Sequence, residues 1–245
     1  MSRPFLARRR RWPLYVLLVA AGLVLAAAAG LVAEAALSPQ RRENFRLPPV
    51  SPLPGASPLS SSGSPDRTSG RPLQVIQGRR PAAGGIRTGF PGTLAGAVSA
   101  AVQDWSWIAC DLDPAGMRMV GRVITAPSWR DGPAELAAGV RGTRIKLGLT
   151  ASGPVPAAAR LNFDAVEYQV RDVGRRQVIV LLLAYYGFAI PGHQPQVETG
   201  VYPATMLRAG GDWKLGAPDG QDYSWLLARP GSAQASADGW HPLYY

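Results

Sequence analysis

The chain has 245 residues, with 26 basic and 16 acidic side chains and a formal charge of +10 at pH 7. The positive excess lies in residues 1–90, which hold 13 arginines and three acidic residues, so residues 91–245 are close to neutral. This distribution argues against a nucleic-acid-attracting field on the globular part, and we expect no direct nucleic acid binding by it. A hydrophobic content of 47% also excludes a wholly disordered or fibrous chain.

Cysteine and histidine are scarce. Cys110 is the single cysteine, which excludes an intramolecular disulfide and a cysteine-clustered zinc site. His193 and His241 are the two histidines and leave little material for a histidine metal centre or a Ser-His-Asp triad. The composition therefore predicts a protein without a cofactor or a bound metal, and it argues against most enzyme classes.

The N-terminus has the pattern of a membrane anchor. Residues 1–12 are basic, and residues 13–33 form a stretch of 21 residues without a charge. At about 1.5 Å per residue such a helix spans a bilayer core, which predicts a cytoplasmic stub over 1–12 and a transmembrane helix over 13–37. Basic residues are more numerous before this span than after it, which predicts a cytoplasmic N-terminus and an extracellular C-terminal domain. The residues that set this topology are Arg8, Arg9, Arg10 and Arg11.

A cleaved secretory signal is the alternative, because Ala33-Glu-Ala35 has the form of a cleavage site. The apolar stretch is longer than the ~7 to 15 residues of a typical signal core, which favours a retained anchor.

A linker follows the anchor. Between residues 38 and 91, 25 of 54 residues are Pro, Ser or Gly, which predicts a semi-extended tether over 38–88. Within it, Leu73 to Gln77 is either a short strand or a docking segment.

The predicted folded domain covers residues 89–228. Its first helix carries one apolar stripe, its opposite face is polar, and Asp113 with Pro114 begins a second helix that runs towards Ile124. A third helix is expected over Ala134 to Leu147. The stripe consists of Leu94, Val98, Ala101, Trp105, Ile108 and Leu112, and the opposite face of Ala97, Ala100, Asp104, Trp107 and Asp111.

Strand patterns follow these helices. Residues 161–171 alternate with a slip of the apolar phase that predicts a β-bulge, and residues 175–190 are apolar on both faces, as in a central strand. Two further strands are expected over 197–207 and 213–217. The domain is therefore predicted to be α+β, with about three helices packed on a curved antiparallel sheet of about four strands, and residues 229–245 form a C-terminal tail.

Four segments carry a family resemblance. They are Gly89 to Val98, Ser128 to Asp131, Val201 to Ala204 and Gly211 to Leu215. Together with the anchor and tether, they resemble actinobacterial conjugation-associated membrane proteins, which are similar to the cone-shaped, nuclear-transport-factor-like (cystatin-related) scaffold components of type IV secretion systems. Related Gram-positive scaffolds often carry two such domains outside the membrane, whereas this chain has room for one.

This resemblance implies a non-enzymatic assembly component of a conjugative machine. Its expected partners are the cell membrane, other subunits of the complex and further copies of itself. The alternatives are an accessory protein of a cell-envelope or lipid-import complex, and a small-ligand-binding domain or enzyme of the same fold.

The acidic residues near the first helix are expected to have structural roles and not catalytic ones. Enzymes of this superfamily place a carboxylate and a Tyr or His inside the cone, but Asp104 and Asp111 are predicted on the polar face of the first helix, and Asp113 is predicted to be a helix cap. Cys110 is expected to be a small core residue. No catalytic residue is assigned, and the candidate partner-interface residues are Trp107, Tyr185, Tyr186 and Phe188.

Overall fold

A computed structural model describes residues 71–174 and 176–245. The predicted stub, transmembrane helix and topology-setting arginines lie outside the described residues, as does most of the linker. None of the helices in the described part has the length and apolar character needed to cross a bilayer.

The described residues form four α-helices and eight strands. The helices are α1 (Leu94–Cys110), α2 (Pro114–Ile124), α3 (Gly132–Lys146) and α4 (Ala233–Ala237). The strands are β1 (Leu73–Gln74), β2 (Arg80–Pro81), β3 (Arg87–Thr88), β4 (Arg160–Val173), β5 (Gln177–Ala189), β6 (Gln196–Ala209), β7 (Asp212–Leu215) and β8 (His241–Tyr244).

The α+β class is confirmed, but the sheet has six strands where about four were expected. Its order is β1-β8-β4-β5-β6-β7, and β2 and β3 form a separate two-stranded ribbon. The additional strands come from the two ends of the described chain: β1 pairs with β8 in parallel, and β8 pairs with β4. Residues 229–245, predicted as a tail, thus contribute α4 and a sheet strand. In the same way Leu73–Gln74 forms the short strand that was one of two alternatives.

Local signals explain the helix ends. Thr93 caps α1 by accepting a hydrogen bond from the Gly96 N–H, and the Asp113 carboxylate accepts from the N–H groups of Ala115 and Gly116, which confirms the predicted cap of α2. Helix α3 begins at Gly132, two residues before the predicted start.

The long hairpin of β4 and β5 holds the predicted bulge. The register shifts between Ala165 and Glu167. The odd-numbered residues before the shift and the even-numbered residues after it therefore lie on the same face of the sheet. Strand β5 lies between β4 and β6, as expected for a strand that is apolar on both faces.

The two faces of the sheet carry separate cores. Even-numbered residues of β5, including Leu182 and Ala184, belong to the main cluster that α1 covers. Odd-numbered Leu181 and Leu183 belong to a smaller cluster on the other face, beneath the C-terminal segment and its buried Trp240. Helix α1 and the C-terminal segment therefore cover opposite faces of the sheet.

Candidate protein-interaction site

An aromatic cluster lies where the C-terminal half of α1 packs on strands β4, β5 and β6. Trp105 comes from α1, Phe163 from β4, Tyr186 and Phe188 from β5, and Tyr202 from β6. Pairing places Phe163 beside Tyr186, and alternation directs both towards the helices. We call these five residues the aromatic cluster.

The rings of the aromatic cluster form two sets of contacts, one of Trp105, Phe163 and Tyr202 and one of Tyr186 and Phe188. Trp105 and Tyr202 meet edge to face at 5.1 Å between centroids, and Phe163 meets Tyr202 in the same way at 4.9 Å. The Tyr186 and Phe188 rings lie 5.8 Å apart. Such pairs contribute about 0.5–1.5 kcal/mol each beyond their buried area, so the cluster fixes α1 against the sheet.

The Tyr186 hydroxyl is buried without a hydrogen-bond partner among the described residues. Burial raises the pKa of Tyr186, and Cys110, Tyr202 and Glu198 raise it further. Burial and Glu198 likewise raise the pKa of Tyr202 to about 12. Both phenols are therefore neutral donors at physiological pH, and an unpaired one costs about 1–3 kcal/mol until it meets an acceptor.

The four predicted interface residues do not form one surface. Tyr186 and Phe188 lie together in the aromatic cluster, whereas Tyr185 lies on the opposite face of β5. All three are half-buried. The interface assignment of these side chains stays a prediction.

Trp107 differs from the predicted position. It was expected to face solvent while Trp105 was core, but both indoles are half-buried and both pack against the main cluster. The reason is that α1 is covered on more than one face: the N–H groups of Ile76 and Arg87 donate to Ser99 and Gln103, which share a helix face with Trp107. Exposure therefore does not single out Trp107 as a contact residue.

Cys110 also differs from expectation. It was predicted to be core, but it is the exposed last residue of α1. Burial of the sulfur itself nevertheless raises the pKa of the thiol. The thiol is thus mainly protonated at neutral pH and has little nucleophilic character.

Asp104 is the largest departure from the predicted polar face. Its side chain is 3% exposed, and one carboxylate oxygen has no partner among the described residues. Burial raises the pKa of Asp104 well above its ordinary value, Lys214 opposes this shift, and Asp212 adds to it. The carboxyl group is therefore held in a site that favours its neutral form.

The ion pair of Lys214 and Asp212, which lies near Asp104, holds elements of secondary structure together. The Lys214 ammonium lies 3.2 Å from an Asp212 carboxylate oxygen and donates to the Val123 carbonyl oxygen at 2.8 Å, joining β7 to α2. Burial would raise the pKa of Asp212, but hydrogen bonds from the Gly89 and Phe90 N–H groups and the charge of Lys214 together lower it.

The described residues contain no group of three or more His, Cys, Asp or Glu side chains that could hold a metal ion. Asp111 accepts from the Asp113 N–H at 2.7 Å, so these two acids serve the turn between α1 and α2. A surface pocket lies at the start of α1 and is lined by residues including Thr93, Arg208 and Trp213, but Asp104 is not part of its lining.

Sequence reasoning missed the outer edge of β6. Strand β7 covers only Met206–Ala209 of this edge, which leaves Val197, Thr199 and Val201 beyond it. A signal was present in the sequence, because Pro195 and Pro203 bracket this stretch and proline is typical of sheet edges.

Comparisons with known proteins add little. No protein-family model and no curated protein matches the chain. Among solved structures, Aln2 from a Streptomyces species aligns with a TM-score of 0.34 and 15% identity, over 47% of this chain and 82% of Aln2. This likeness is too weak to assign a family.

Proposed function

We propose that the protein is a membrane-anchored structural component of a conjugative, type IV secretion-like DNA-transfer machine. In this proposal residues 13–37 fix the chain in the cell membrane, the tether spans the envelope, and the extracellular domain binds other subunits or further copies of itself. The predicted anchor and the four segments that resemble conjugation proteins support this choice of machine.

The observation that carries the proposal is the filled face of the sheet beneath α1. Helix α1 covers this side with Ala97, Val98 and Ala101, which are fully buried, and the aromatic cluster closes its C-terminal end. A domain whose inner face is occupied by its own helix offers outer faces and edges to partners. These surfaces suit protein-protein contacts better than they suit the enclosure of a small ligand.

Deletion of the gene from its native element tests the proposal. Transfer should fall by several orders of magnitude and return when the wild-type chain is supplied. Undiminished transfer would remove the conjugative role. Gene neighbourhood then distinguishes the envelope or lipid-import alternative, because transporter subunits would replace the secretion ATPase and polytopic channel protein.

The orientation is tested separately. A reporter that is active only in the cytoplasm, fused after Tyr245, should remain silent if the basic stub lies inside the cell. Cytoplasmic activity of this fusion would reverse the topology.

A ligand-binding or enzymatic domain of the same fold is the second candidate, and Asp104 is the observation that favours it. A buried carboxyl with a raised pKa is a frequent property of acid-base sites. Its close neighbours, the Lys214 and Asp212 pair, hold secondary-structure elements together, which supports a structural role for Asp104 as well.

A further inference from the structure

The outer edge of β6 is unpaired over most of its length. On its inner side β6 pairs with β5 continuously from Gln196 to Leu207. On its outer side β7 begins only at Met206, and the Gly216 N–H donates to the Thr205 carbonyl oxygen at 2.7 Å. Within residues 71–174 and 176–245 no other strand pairs with this edge.

The direction of the free backbone groups follows from two hydrogen bonds. The carbonyl oxygens of Pro203 and Thr205 accept bonds from the Trp105 indole N–H and the Gly216 N–H, so both point away from β5. Backbone groups alternate along a strand, and the β5–β6 register has no shift in this stretch. The odd-numbered residues before Pro203 therefore also direct their N–H and C=O groups outward.

The residue types at these outward positions form a symmetric pattern, which is the same in either direction along the strand. From 195 to 203 the side chains are Pro, Val, Thr, Val and Pro, with Thr199 at the centre. The two prolines lack an N–H group, and the Pro203 carbonyl oxygen is already bonded to Trp105 at 3.1 Å. Between 195 and 203 the open outward N–H groups are thus those of Val197, Thr199 and Val201, symmetrically placed within the edge.

We infer that this edge binds the same edge of a second copy of the chain, in antiparallel register centred on Thr199. Thr199 then faces Thr199, Val197 faces Val201 of the second copy, and Pro195 faces Pro203, so no outward N–H group between 195 and 203 is left without a partner. About six backbone hydrogen bonds form, and the sheets of the two copies join into one. Thr–Thr and Val–Val neighbours are favourable cross-strand pairs.

The other face of the joined strands is also compatible with this register. Glu198 faces Gly200 of the second copy, so the two Glu198 carboxylates do not stand directly opposite each other. Gly200 has no side chain to obstruct the approach, and the Tyr202 ring of its own strand already covers it, since a Cβ there would lie 2.8 Å from that ring. Like charges directly opposite each other would be destabilising, so this register avoids the repulsion that a register centred on Glu198 would have.

The inference goes beyond the proposed function, because it requires only this edge and holds whichever machine the protein serves. Unpaired edges are otherwise protected in monomeric proteins by charged side chains, bulges or a covering segment. Here Val197 is 71% exposed beside the open backbone groups. An exposed apolar side chain at an open edge is expected where the edge pairs with another strand.

Cysteine crosslinking of the purified full chain tests the register. In a Cys110→Ser background, Thr199→Cys places the two new cysteines directly opposite, with Cα atoms ~5.5 Å apart, which is within disulfide range. Val197→Cys is the matched control. Its two cysteines would be about 13 Å apart along the strands, although this position is more exposed than Thr199.

Under mild oxidation, Thr199→Cys should form a covalent dimer at least ten-fold faster than Val197→Cys, with an unchanged circular dichroism spectrum. Equal rates, or a faster reaction of Val197→Cys, would mean random collision of exposed thiols and would overturn the inference. Absence of a covalent dimer in both variants would overturn it as well. None of these results depends on DNA transfer.

Discussion

The indole N–H of Trp105 donates to the carbonyl oxygen of Pro203 at 3.1 Å, which joins the C-terminal half of α1 to the outer edge of β6. This bond links the packing of the helix to the edge proposed to pair between copies. It satisfies the last outward carbonyl group before that of Thr205, which accepts from the Gly216 N–H.

Replacement of Trp105 should therefore be more costly than replacement of Trp107. Trp105→Ala removes the hydrogen bond and the ring contacts with Phe163 and Tyr202, and we expect a loss of about 3–5 kcal/mol of unfolding free energy. The Trp107 ring forms no aromatic pair in the described part of the chain, so Trp107→Ala should cost less. Chemical denaturation of both variants gives the ranking, and the reverse order would contradict the position of the indoles in α1.

Asp104 should make the stability of the protein depend on pH. Burial raises its pKa in the folded state, so the folded protein holds this proton more tightly than the unfolded chain does. The contribution of the Asp104 carboxyl group to the free energy of unfolding is therefore fully present below the unfolded pKa of about 3.9. It declines as the pH rises towards the pKa of the folded state. Asp104→Asn should flatten this decline and gain on the order of 1 kcal/mol at neutral pH.

Denaturation midpoints between pH 4 and pH 8 measure this effect. Asp131→Asn is the control, because that carboxylate is exposed and makes no side-chain capping bond. It should follow the wild-type profile. A profile for Asp104→Asn with the wild-type slope would show that the carboxyl group ionises freely in the folded protein.

Arg144 should be required for the fold although it contacts no acid among the described residues. It is 1% exposed, and its guanidinium donates to the carbonyl oxygens of Thr150 at 2.6 Å and Leu112 at 2.8 Å. Arg144→Met retains bulk but leaves these acceptors unpaired, and we expect a loss of about 3 kcal/mol. Arg118→Met changes an exposed arginine of α2 and should alter the melting temperature little. Equal melting temperatures of the two variants would be inconsistent with the buried position of Arg144.

The helices and the central strands were predictable because their signals are local. The proline and aspartate at 113–114 begin α2, and the two-sided apolar run places β5 at the centre of the sheet. The phase slip before Tyr168 likewise identified the bulge.

The missed features depend on distant contacts. Strand β8 has four residues, one of them Pro242, and Leu73 of β1 pairs with Leu243 at the other end of the chain, so neither strand has a local signal. The sequence places Asp104 on a polar face because one apolar stripe implies one buried face. That rule fails for α1, since the helix is buried on more than one face and the charge of Lys214 lies close enough to affect the Asp104 carboxyl group.

The central claim is that the domain acts through contacts with other proteins and not through chemistry at its buried carboxyl group. The most direct measurement is transfer frequency in the deletion strain supplied with either of two variants at matched protein levels. Thr199→Pro removes the central outward N–H group of β6 and should reduce transfer at least ten-fold, whereas Asp104→Asn should support wild-type transfer. Normal transfer with Thr199→Pro and its loss with Asp104→Asn would contradict the account and favour an enzyme or a ligand-binding domain.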